Sequence, residues 1–375
     1  MTVRLNFFPL GNADTLRIDL ADDRKVLIDY AAMRNGDVDD KRCDLPAELR
    51  NDLDKAGRKS FDVVCITHTD SDHCKGFGDF FWLEHADKYQ DDDRIKIEEL
   101  WVPAAAILEE GLKNDARIVR SEARHRLREG KGILIFSRPE SLRDWMKEEG
   151  IDFEARKHLI VDAGKTVPGF SKNGPEKVEF FVHSPFGWRQ DENTVIQRNE
   201  DSIVLQATFS EGGHESRLFL ASDVNHETLS DIIQITRKHG NEDTLRWDIM
   251  KLPHHCSYLA LGPDRGVDET KPVSDVAWLF EEQREDGAVI VSPSSPIPVK
   301  GSEADRCDQP PHRQAANYHR RVTNKADGDF KVTMEHPNVN GPKPFAYKVT
   351  MLGIALDIAA PMVSSTAAAS TPKAG

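Results

Sequence analysis

The chain has 375 residues, of which 38% are hydrophobic and 30% charged, and its formal net charge is −14. These values are typical of a globular protein with a substantial core, and the negative charge argues against a surface that binds nucleic acid non-specifically. No run of about 18 apolar residues is present, so no membrane-spanning helix is predicted. The five cysteines form no CxxC pair, which favours free thiols and a cytoplasmic location.

Polar and apolar residues alternate at the start of the chain, as they do in half-buried strands. Three strands are predicted there, at residues 2–8, 15–19 and 25–29, separated by turn residues. Asp14 and Asp29 stand where strands end. Each is interpreted either as a turn carboxylate or as a residue that contacts a functional site.

The next predicted strand ends at Ile66 and is followed by four potential metal ligands, His68, Asp70, Asp72 and His73. An apolar run closed by polar residues is typical of a core strand that leads into a loop. Imidazoles and carboxylates packed so closely would repel one another or lack partners unless a divalent cation lay between them. The alternative interpretation is a solvated polar turn.

The segment 84–175 contains a short predicted strand around Trp101 and a predicted helix from Asn114 to Gly130. The helix is rich in arginine. This pattern indicates either a solvated face paired with Glu122 and Glu129 or a rim that faces phosphate groups.

The pattern of strands restarts after residue 175. Strands are predicted at 178–182, 202–209 and 217–221, and the last of these leads to Asp223. A helix at 227–239 and a strand at 247–252 follow, and the strand leads to His254 and His255. A strand at 288–292, then His312 and a helix at 313–322, precede weak strands at 330–335 and 346–352.

Three predicted core strands thus carry metal-type residues at one end. Two β-rich halves separated by helices place these ends on one edge if the sheets stack face to face. The predicted fold is therefore an α+β protein with an αββα sandwich, in which two stacked mixed sheets have helices outside. We expect a single domain over 1–358, with a helical insertion at about 84–175, and a disordered tail at 359–375.

These motifs resemble those of the metallo-β-lactamase-fold hydrolases, whose first motif is His-x-His-x-Asp-His after a strand. Aspartate stands third here, which is similar to the soluble hydrolase domain of the ComEC-type DNA-uptake proteins. Further matches are Gly11-Asn12-Ala13-Asp14, Asn199-Glu200-Asp201-Ser202, Ser222-Asp223, Pro253-His254-His255-Cys256-Ser257 and Pro310-Pro311-His312. Cys256 departs from the family pattern, which has glycine there.

The resemblance implies two divalent ions. His68 and Asp70 would hold the first ion, Asp72 and His73 the second, and Asp223 would bridge them. His255 would be the last ligand. No histidine precedes the strand at 202–209, so Asp201 or Asn199 is the candidate to complete the first site. Zinc is expected, and manganese or magnesium competes because the first site is rich in oxygen ligands.

The resemblance also implies a reaction. Two ions would convert a bridging water to hydroxide and clamp a phosphoryl group. Asp72 would orient the nucleophile and His254 would contact the substrate. His312, Lys75 and Ser257 are candidates for further donors, and the alternatives are a helix-entry residue, a surface lysine and a helix N-cap, respectively. The leading prediction is a metal-dependent phosphodiesterase or nuclease acting on a phosphodiester substrate, nucleic acid included. The alternatives are a hydrolase of a small ester, lactone or thioester, and a non-catalytic metal-binding module.

Overall fold

The computed structural model describes residues 2–192 and 196–357, and the tail predicted to be disordered, 359–375, lies outside them. Within these ranges the strands are, in chain order, β1 (Arg4–Phe7), β2 (Leu16–Asp19), β3 (Lys25–Ile28), β4 (Ser60–Cys65), β5 (Lys96–Pro103), β6 (Ile133–Phe136), β7 (Ile160–Val161), β8 (Val178–Ser184), β9 (Val204–Glu211), β10 (His214–Leu220), β11 (Trp247–Lys251), β12 (Arg284–Ser292), β13 (Asp329–Val332), β14 (Phe345–Thr350) and β15 (Gly353–Leu356).

The α-helices of the same ranges are α1 (Leu45–Lys55), α2 (Ser71–Cys74), α3 (Phe77–Phe80), α4 (Ala104–Leu108), α5 (Asn114–Glu129), α6 (Glu140–Glu148), α7 (Phe153–Arg156), α8 (Gly187–Glu192), α9 (His226–Lys238), α10 (Ser274–Glu282), α11 (Glu303–Arg306) and α12 (Arg313–Asn324). Short 3₁₀ turns connect several of them. None of the helices described in the structure combines the length and apolar character needed to cross a membrane.

The strands form two mixed sheets. The first has the order β15-β14-β1-β2-β3-β4-β5-β6-β7 and the second β13-β12-β11-β10-β9-β8. The first sheet is antiparallel from β15 to β3 and parallel from β3 to β7. The second is parallel from β13 to β10 and antiparallel from β10 to β8.

Three apolar cores separate four layers of secondary structure. Neighbouring residues of β4 show the division, because side chains alternate between the faces of a strand. Val63 lies in the core between the sheets, and Val64 lies in the core between the first sheet and its helices. On the far face of the second sheet a third core includes Ile232 of α9, Leu279 of α10 and Tyr318 of α12. The predicted αββα sandwich is thus confirmed.

The segment 84–175 differs from the predicted helical insertion. It contains α4 to α7, and α5 covers the predicted helix. It also contains β5, β6 and β7, which continue the first sheet as parallel strands. The last two are only 4 and 2 residues long. Apolar runs this short do not distinguish a strand from a buried piece of helix, so the sequence pattern missed them.

Candidate metal centre

Strand ends from both sheets meet at one edge of the sandwich. In the first sheet β3 and β4 are parallel, so Asp29 and the loop from His68 to His73 leave the sheet together. Strand β2 is antiparallel to β3, which brings the residues before β2, including Asp14, to the same edge. In the second sheet the parallel strands β10 and β11 lead to Asp223 and His255.

A side-chain hydrogen bond joins the two sheets at this edge. The Ser222 hydroxyl donates to the Thr67 hydroxyl at 2.8 Å, and both residues are buried. The Ile203 backbone N–H also donates to the Thr67 carbonyl at 3.0 Å. The residues on either side of these contacts are therefore held close together.

Four buried side chains converge here. Ligand atoms of Asp14, His73, Asp223 and His255 all lie within 4.8 Å of one another. His73 Nε2 lies 3.3 Å from Asp223 Oδ1 and 3.8 Å from Asp14 Oδ2. His255 Nε2 lies 3.5 Å from Asp223 Oδ2. Two imidazoles and two carboxylates at these distances form a set that could hold one divalent ion.

Each of the two imidazoles is fixed through its other nitrogen. His73 Nδ1 donates to Asp29 Oδ2 at 2.8 Å, and Asp29 also accepts from the Thr67 backbone N–H at 2.7 Å. His255 Nδ1 donates to the Pro293 carbonyl at 2.9 Å. These bonds leave both Nε2 atoms as lone-pair donors toward the cluster, an arrangement common among metal-binding histidines.

The electrostatics of the group also fit a cation. Burial lowers the pKa of His73, but the charges of Asp29 and Asp223 outweigh it and hold this pKa well above its usual value. Burial likewise opposes protonation of His255, yet Asp223 and Asp72 raise its pKa to about 10. The carboxylates therefore attract positive charge to this point. Asp14 Oδ1 has no hydrogen-bond partner in the described part of the chain, so it is available to a ligand.

Asp14 also pairs with a buried lysine. Lys251 Nζ lies 2.7 Å from Asp14 Oδ2 and donates to the Ala221 carbonyl at 3.2 Å. Lys251 is the last residue of β11, only 2% exposed. The chain thus places one cation of its own beside the group of four.

Asp72 lies at the exposed margin of the group. Its Oδ2 is 3.1 Å from His255 Nε2, and its side chain is 32% exposed. Burial would raise the pKa of Asp72, but His255 and His73 lower it to about 2, so this carboxyl is ionised at neutral pH. Asp72 can therefore reach both the group of four and the solvent in front of it.

The residues predicted for the first ion are arranged differently. His68 Nε2 lies 3.7 Å from Asp70 Oδ2. His68 Nδ1 lies 3.2 Å from the Ser222 hydroxyl, whereas its Nε2 is buried without a hydrogen-bond partner among the described residues. Asp70 Oδ1 accepts a hydrogen bond of 2.5 Å from Arg198, which also forms bonds of 2.6 to 2.9 Å with Glu109.

Asp201, the third predicted ligand of that ion, is buried but stands outside the group of four. Its carboxylate accepts from the Gln197 backbone N–H at 3.2 Å, and the Asp201 N–H donates to the Gln197 carbonyl at 2.8 Å. Burial raises the pKa of Asp201 to about 6. The local turn holds this side chain, and Asn199 accepts from Ser202 in the same turn.

His254 and His312 lie next to the group without belonging to it. Burial lowers the pKa of both, that of His312 to about 4. The charge of His255 further lowers the pKa of His254, and the charges of Arg265 and His254 further lower that of His312. His312 Nδ1 accepts from the Tyr258 backbone N–H at 3.3 Å, so its Nε2 carries the proton. No hydrogen bond of good geometry to this buried Nε2 is present in the described ranges, although the Asp308 backbone lies close enough to raise the pKa of His312.

The backbone is strained where β11 gives way to the site. His254, His255 and Cys256 have φ values of 48°, 51° and 66°. Left-handed conformations cost roughly 1 kcal/mol or more for a residue with a Cβ, and such strain is concentrated at functional sites. The φ value of Cys256 also explains why glycine would be favourable at this position.

The other predicted donors have local roles. Ser257 caps the following 3₁₀ turn by accepting from the Leu259 N–H at 3.3 Å. Lys75 is exposed and lines a separate cavity with Tyr30 and Arg50. Burial raises the pKa of the Cys74 and Cys256 thiols, which pack near the site and stand outside the group of four.

Sequence reasoning left the roles of Asp14 and Asp29 open and missed Lys251 and Arg198. Asp14 becomes a site residue only through the antiparallel pairing of β2 with β3. The signal for Lys251 was its position at the end of an apolar strand, three residues before His254. No local pattern marked Arg198.

The solved structures to which the chain is similar include the following two. One is a diphosphatase from the PhnP family, with 11% identity over 86% of this chain and 81% of that chain and a TM-score of 0.30. The other is unliganded yeast PDE1, with 11% identity over 88% of this chain and 97% of that chain and a TM-score of 0.43. No family model and no curated protein matches the sequence.

Proposed function

We propose that this protein is a metal-dependent hydrolase of the metallo-β-lactamase type that cleaves phosphodiesters. The observation that carries the proposal is the buried convergence of Asp14, His73, Asp223 and His255 at the edge shared by the two sheets. Histidines fixed by Asp29 and by a backbone carbonyl, with their Nε2 atoms turned to two carboxylates, suit a divalent ion. Burying two carboxylates together is unfavourable unless positive charge balances them, and a divalent ion would supply such charge at Asp14 and Asp223.

A divalent ion bound there would lower the pKa of water and polarise a phosphoryl oxygen. The chain's own residues would do the rest. Asp72, ionised and part-exposed beside His255, would orient the attacking water by accepting a hydrogen bond from it. His312 would donate from Nε2 to a phosphoryl oxygen, since that atom forms no hydrogen bond of good geometry among the described residues. His254 would contact the substrate from the same side.

The substrate class rests on the motif. Aspartate at the third position of His68-Thr69-Asp70-Ser71-Asp72-His73 resembles the branch that includes DNA-cleaving domains. We therefore propose a phosphodiester, with nucleic acid as the finer possibility. The net charge of −14 favours a small substrate, or a nucleic acid held locally rather than by the whole surface.

The test is hydrolysis of bis-p-nitrophenyl phosphate by protein reconstituted with Zn²⁺, Mn²⁺ or Mg²⁺, compared with a lactone and with nitrocefin. We expect turnover of the phosphodiester alone and its loss on chelation. Asp72→Ala should lose turnover while keeping bound metal. Lactone hydrolysis without phosphodiester hydrolysis would favour the small-ester alternative.

The matched control is Asp39→Asn, which removes an exposed carboxylate from a surface loop. It should hydrolyse the phosphodiester as the wild type does. If Asp72→Ala and His73→Ala also hydrolyse it at the wild-type rate, the proposed site is wrong.

A further inference from the structure

The chain itself supplies part of the positive charge that two metal ions would bring to the site. Asp70 is the carboxylate on which a first ion would depend, and Arg198 already bonds its Oδ1 at 2.5 Å. Glu109 holds the same guanidinium through bonds to both Nε and Nη2, at 2.6 to 2.9 Å. An arginine fixed by two carboxylates in this fork geometry is a well-ordered cation.

The ligand set for a first ion is also incomplete. His68 Nε2 and Asp70 Oδ2 lie 3.7 Å apart, yet neither belongs to a group of three ligand atoms in the part of the chain that the structure describes. Asp201, the expected third ligand, belongs to no group of three ligand atoms among the described residues, and one of its carboxylate oxygens accepts from Gln197 within its own turn. Zinc sites have three or four protein ligands. The residues therefore fit one divalent ion and do not fit two.

We propose that this protein binds a single divalent ion, at Asp14, His73, Asp223 and His255, and that the Arg198 guanidinium takes the place of a second ion beside Asp70. Arg198 thereby becomes a positioning residue for that carboxylate and a fixed positive charge at the margin of the site. Its side chain is 36% exposed, so a substrate anion can approach it. Ser71, Lys113 and Asn114 line the cavity of about 250 Å³ that Arg198 faces. The inference rests on the proposed metal-dependent function and specifies its ion count.

The experiment is a titration of metal-free protein with Mn²⁺. Calorimetry measures the number of ions bound, and electron paramagnetic resonance shows whether they are isolated or coupled. We expect one equivalent of Mn²⁺ and the spectrum of an isolated ion. Two equivalents with the spectrum of coupled ions would overturn the inference while leaving the proposed hydrolase intact. Absence of any binding would overturn both.

Two variants distinguish the role of Asp70 from that of Asp223. Asp70→Asn should still bind one equivalent, with a dissociation constant within about threefold of the wild-type value, whereas Asp223→Asn should lose binding. If the wild type binds two equivalents and Asp70→Asn binds one, Asp70 is a ligand and the inference fails. Asp39→Asn, an exposed substitution, is the matched control and should bind as the wild type does.

The role of Arg198 has its own test. In Arg198→Gln, Asp70 no longer has a fixed cation beside it, so a second and weaker Mn²⁺ should bind and raise the end point above one equivalent. Arg198→Lys keeps the charge and should retain an end point of one. An end point of one in Arg198→Gln would overturn the role assigned to Arg198. Thermal unfolding of each variant shows whether it is folded during the titration.

Discussion

The histidines of the candidate centre depend on residues that do not face it. Asp29 accepts from His73 Nδ1 and from Thr67, and so fixes both the ring orientation and the tautomer. The bond at 2.8 Å joins two groups that are completely buried. A partner of this kind is normally worth a factor of about 10 to 100 in metal affinity.

We therefore expect Asp29→Asn to weaken Mn²⁺ binding by about 10- to 100-fold, because the amide is a poorer acceptor for the His73 N–H. Calorimetric titration measures the change. Asp201→Asn is the matched comparison, a buried carboxylate of the neighbouring turn, and should bind Mn²⁺ as the wild type does. An equal loss in Asp201→Asn would instead identify Asp201 as a ligand.

His312 supports a second prediction at this scale. Because its buried Nε2–H forms no hydrogen bond of good geometry in the described ranges, His312→Phe should remove one donor to the substrate. We expect kcat/KM for bis-p-nitrophenyl phosphate to fall by about 10²-fold, the usual effect of losing one such donor. Metal content should not change. His158→Gln, an exposed histidine far along the chain, should leave kcat/KM unaltered.

Individual site residues could be predicted where one strand delivers them directly. His73, Asp223 and His255 follow apolar runs, and the structure brings all three together. Asp14 precedes its strand, so its role depends on which strand pairs with β2 and in which direction. The orientation of the Asp201 side chain depends on a local turn, in which its carboxylate accepts a hydrogen bond from the Gln197 N–H. The spacing of residues in the sequence does not show whether a side chain will bond within a local turn or reach a distant site.

At the scale of elements, the arginines of helix α5 form ion pairs and hydrogen bonds within the fold. Arg126 is buried with Glu122, at 2.7 Å, and also donates to backbone carbonyls of Ile97 and Gly132. Arg120 and Arg124 pair with Glu110, and Arg128 pairs with Glu149. The charges of these four arginines are thus engaged within the fold, which favours the structural interpretation of the arginine run over a rim for phosphate.

Loss of the buried Glu122–Arg126 pair should reduce stability far more than loss of an exposed arginine pair on the same helix. Arg126→Met would leave the Glu122 carboxylate buried without its cation, and the free energy of unfolding should fall by about 3 to 5 kcal/mol. The double variant Glu122→Gln with Arg126→Met should recover part of this loss. Arg124→Gln, in a more exposed pair, should cost at most about 1 kcal/mol. Urea denaturation measures all three, and equal losses in Arg126→Met and Arg124→Gln would contradict the assigned burial.

The elements that could be predicted are those with clear alternation or a long helical pattern, such as β1 to β4, β8 to β11 and α5. The predicted short strand around Trp101 lies within β5, but the full length of β5 and the strands β6 and β7 could not be predicted. Strand β6 is four buried apolar residues, and β5 begins with charged residues, so neither shows a period of two over a useful length. Pairing in parallel with a distant strand makes them a sheet.

For the molecule as a whole, the candidate ion has ligands from both sheets. Asp14 and His73 come from the first sheet, and Asp223 and His255 from the second. The ion would therefore bind the native state alone, since the unfolded chain does not assemble this group. At a free concentration about 100 times the dissociation constant, such binding adds about 2.7 kcal/mol of stability.

We expect Mn²⁺ to raise the Tm of the wild type by several degrees and chelation to reverse the change, because binding is linked to the complete fold. Differential scanning calorimetry with and without chelator measures the shift. Asp223→Asn should show no shift. A shift of the wild-type size in that variant would place the ion elsewhere.

Acid sensitivity of the fold has a source away from the site. Burial lowers the pKa of His183 to about 4, and its ring bonds Thr236 and the Thr244 carbonyl. The unfolded chain binds this proton with a pKa of about 6.5. Between these values the unfolded state binds more protons, so stability falls as the pH decreases.

His183→Gln should therefore flatten the pH dependence. From about pH 7 to about pH 5 the wild type should lose about 2 kcal/mol more than the variant. Urea denaturation of metal-free protein at both pH values measures the difference. His158→Gln should follow the wild type, and an equal pH dependence in His183→Gln would show that His183 does not supply the effect.

The order of the four ligands along the chain has a consequence for biosynthesis. Asp14 and His73 leave the ribosome well before Asp223 and His255, which follow at least 150 residues later in the sequence. A nascent polypeptide that stops before β10 would carry half of the chelating set, with Asp14 lacking its lysine. Metal uptake would accordingly follow the synthesis of His255, and released fragments that end before β10 would not compete for the cell's pool of ions.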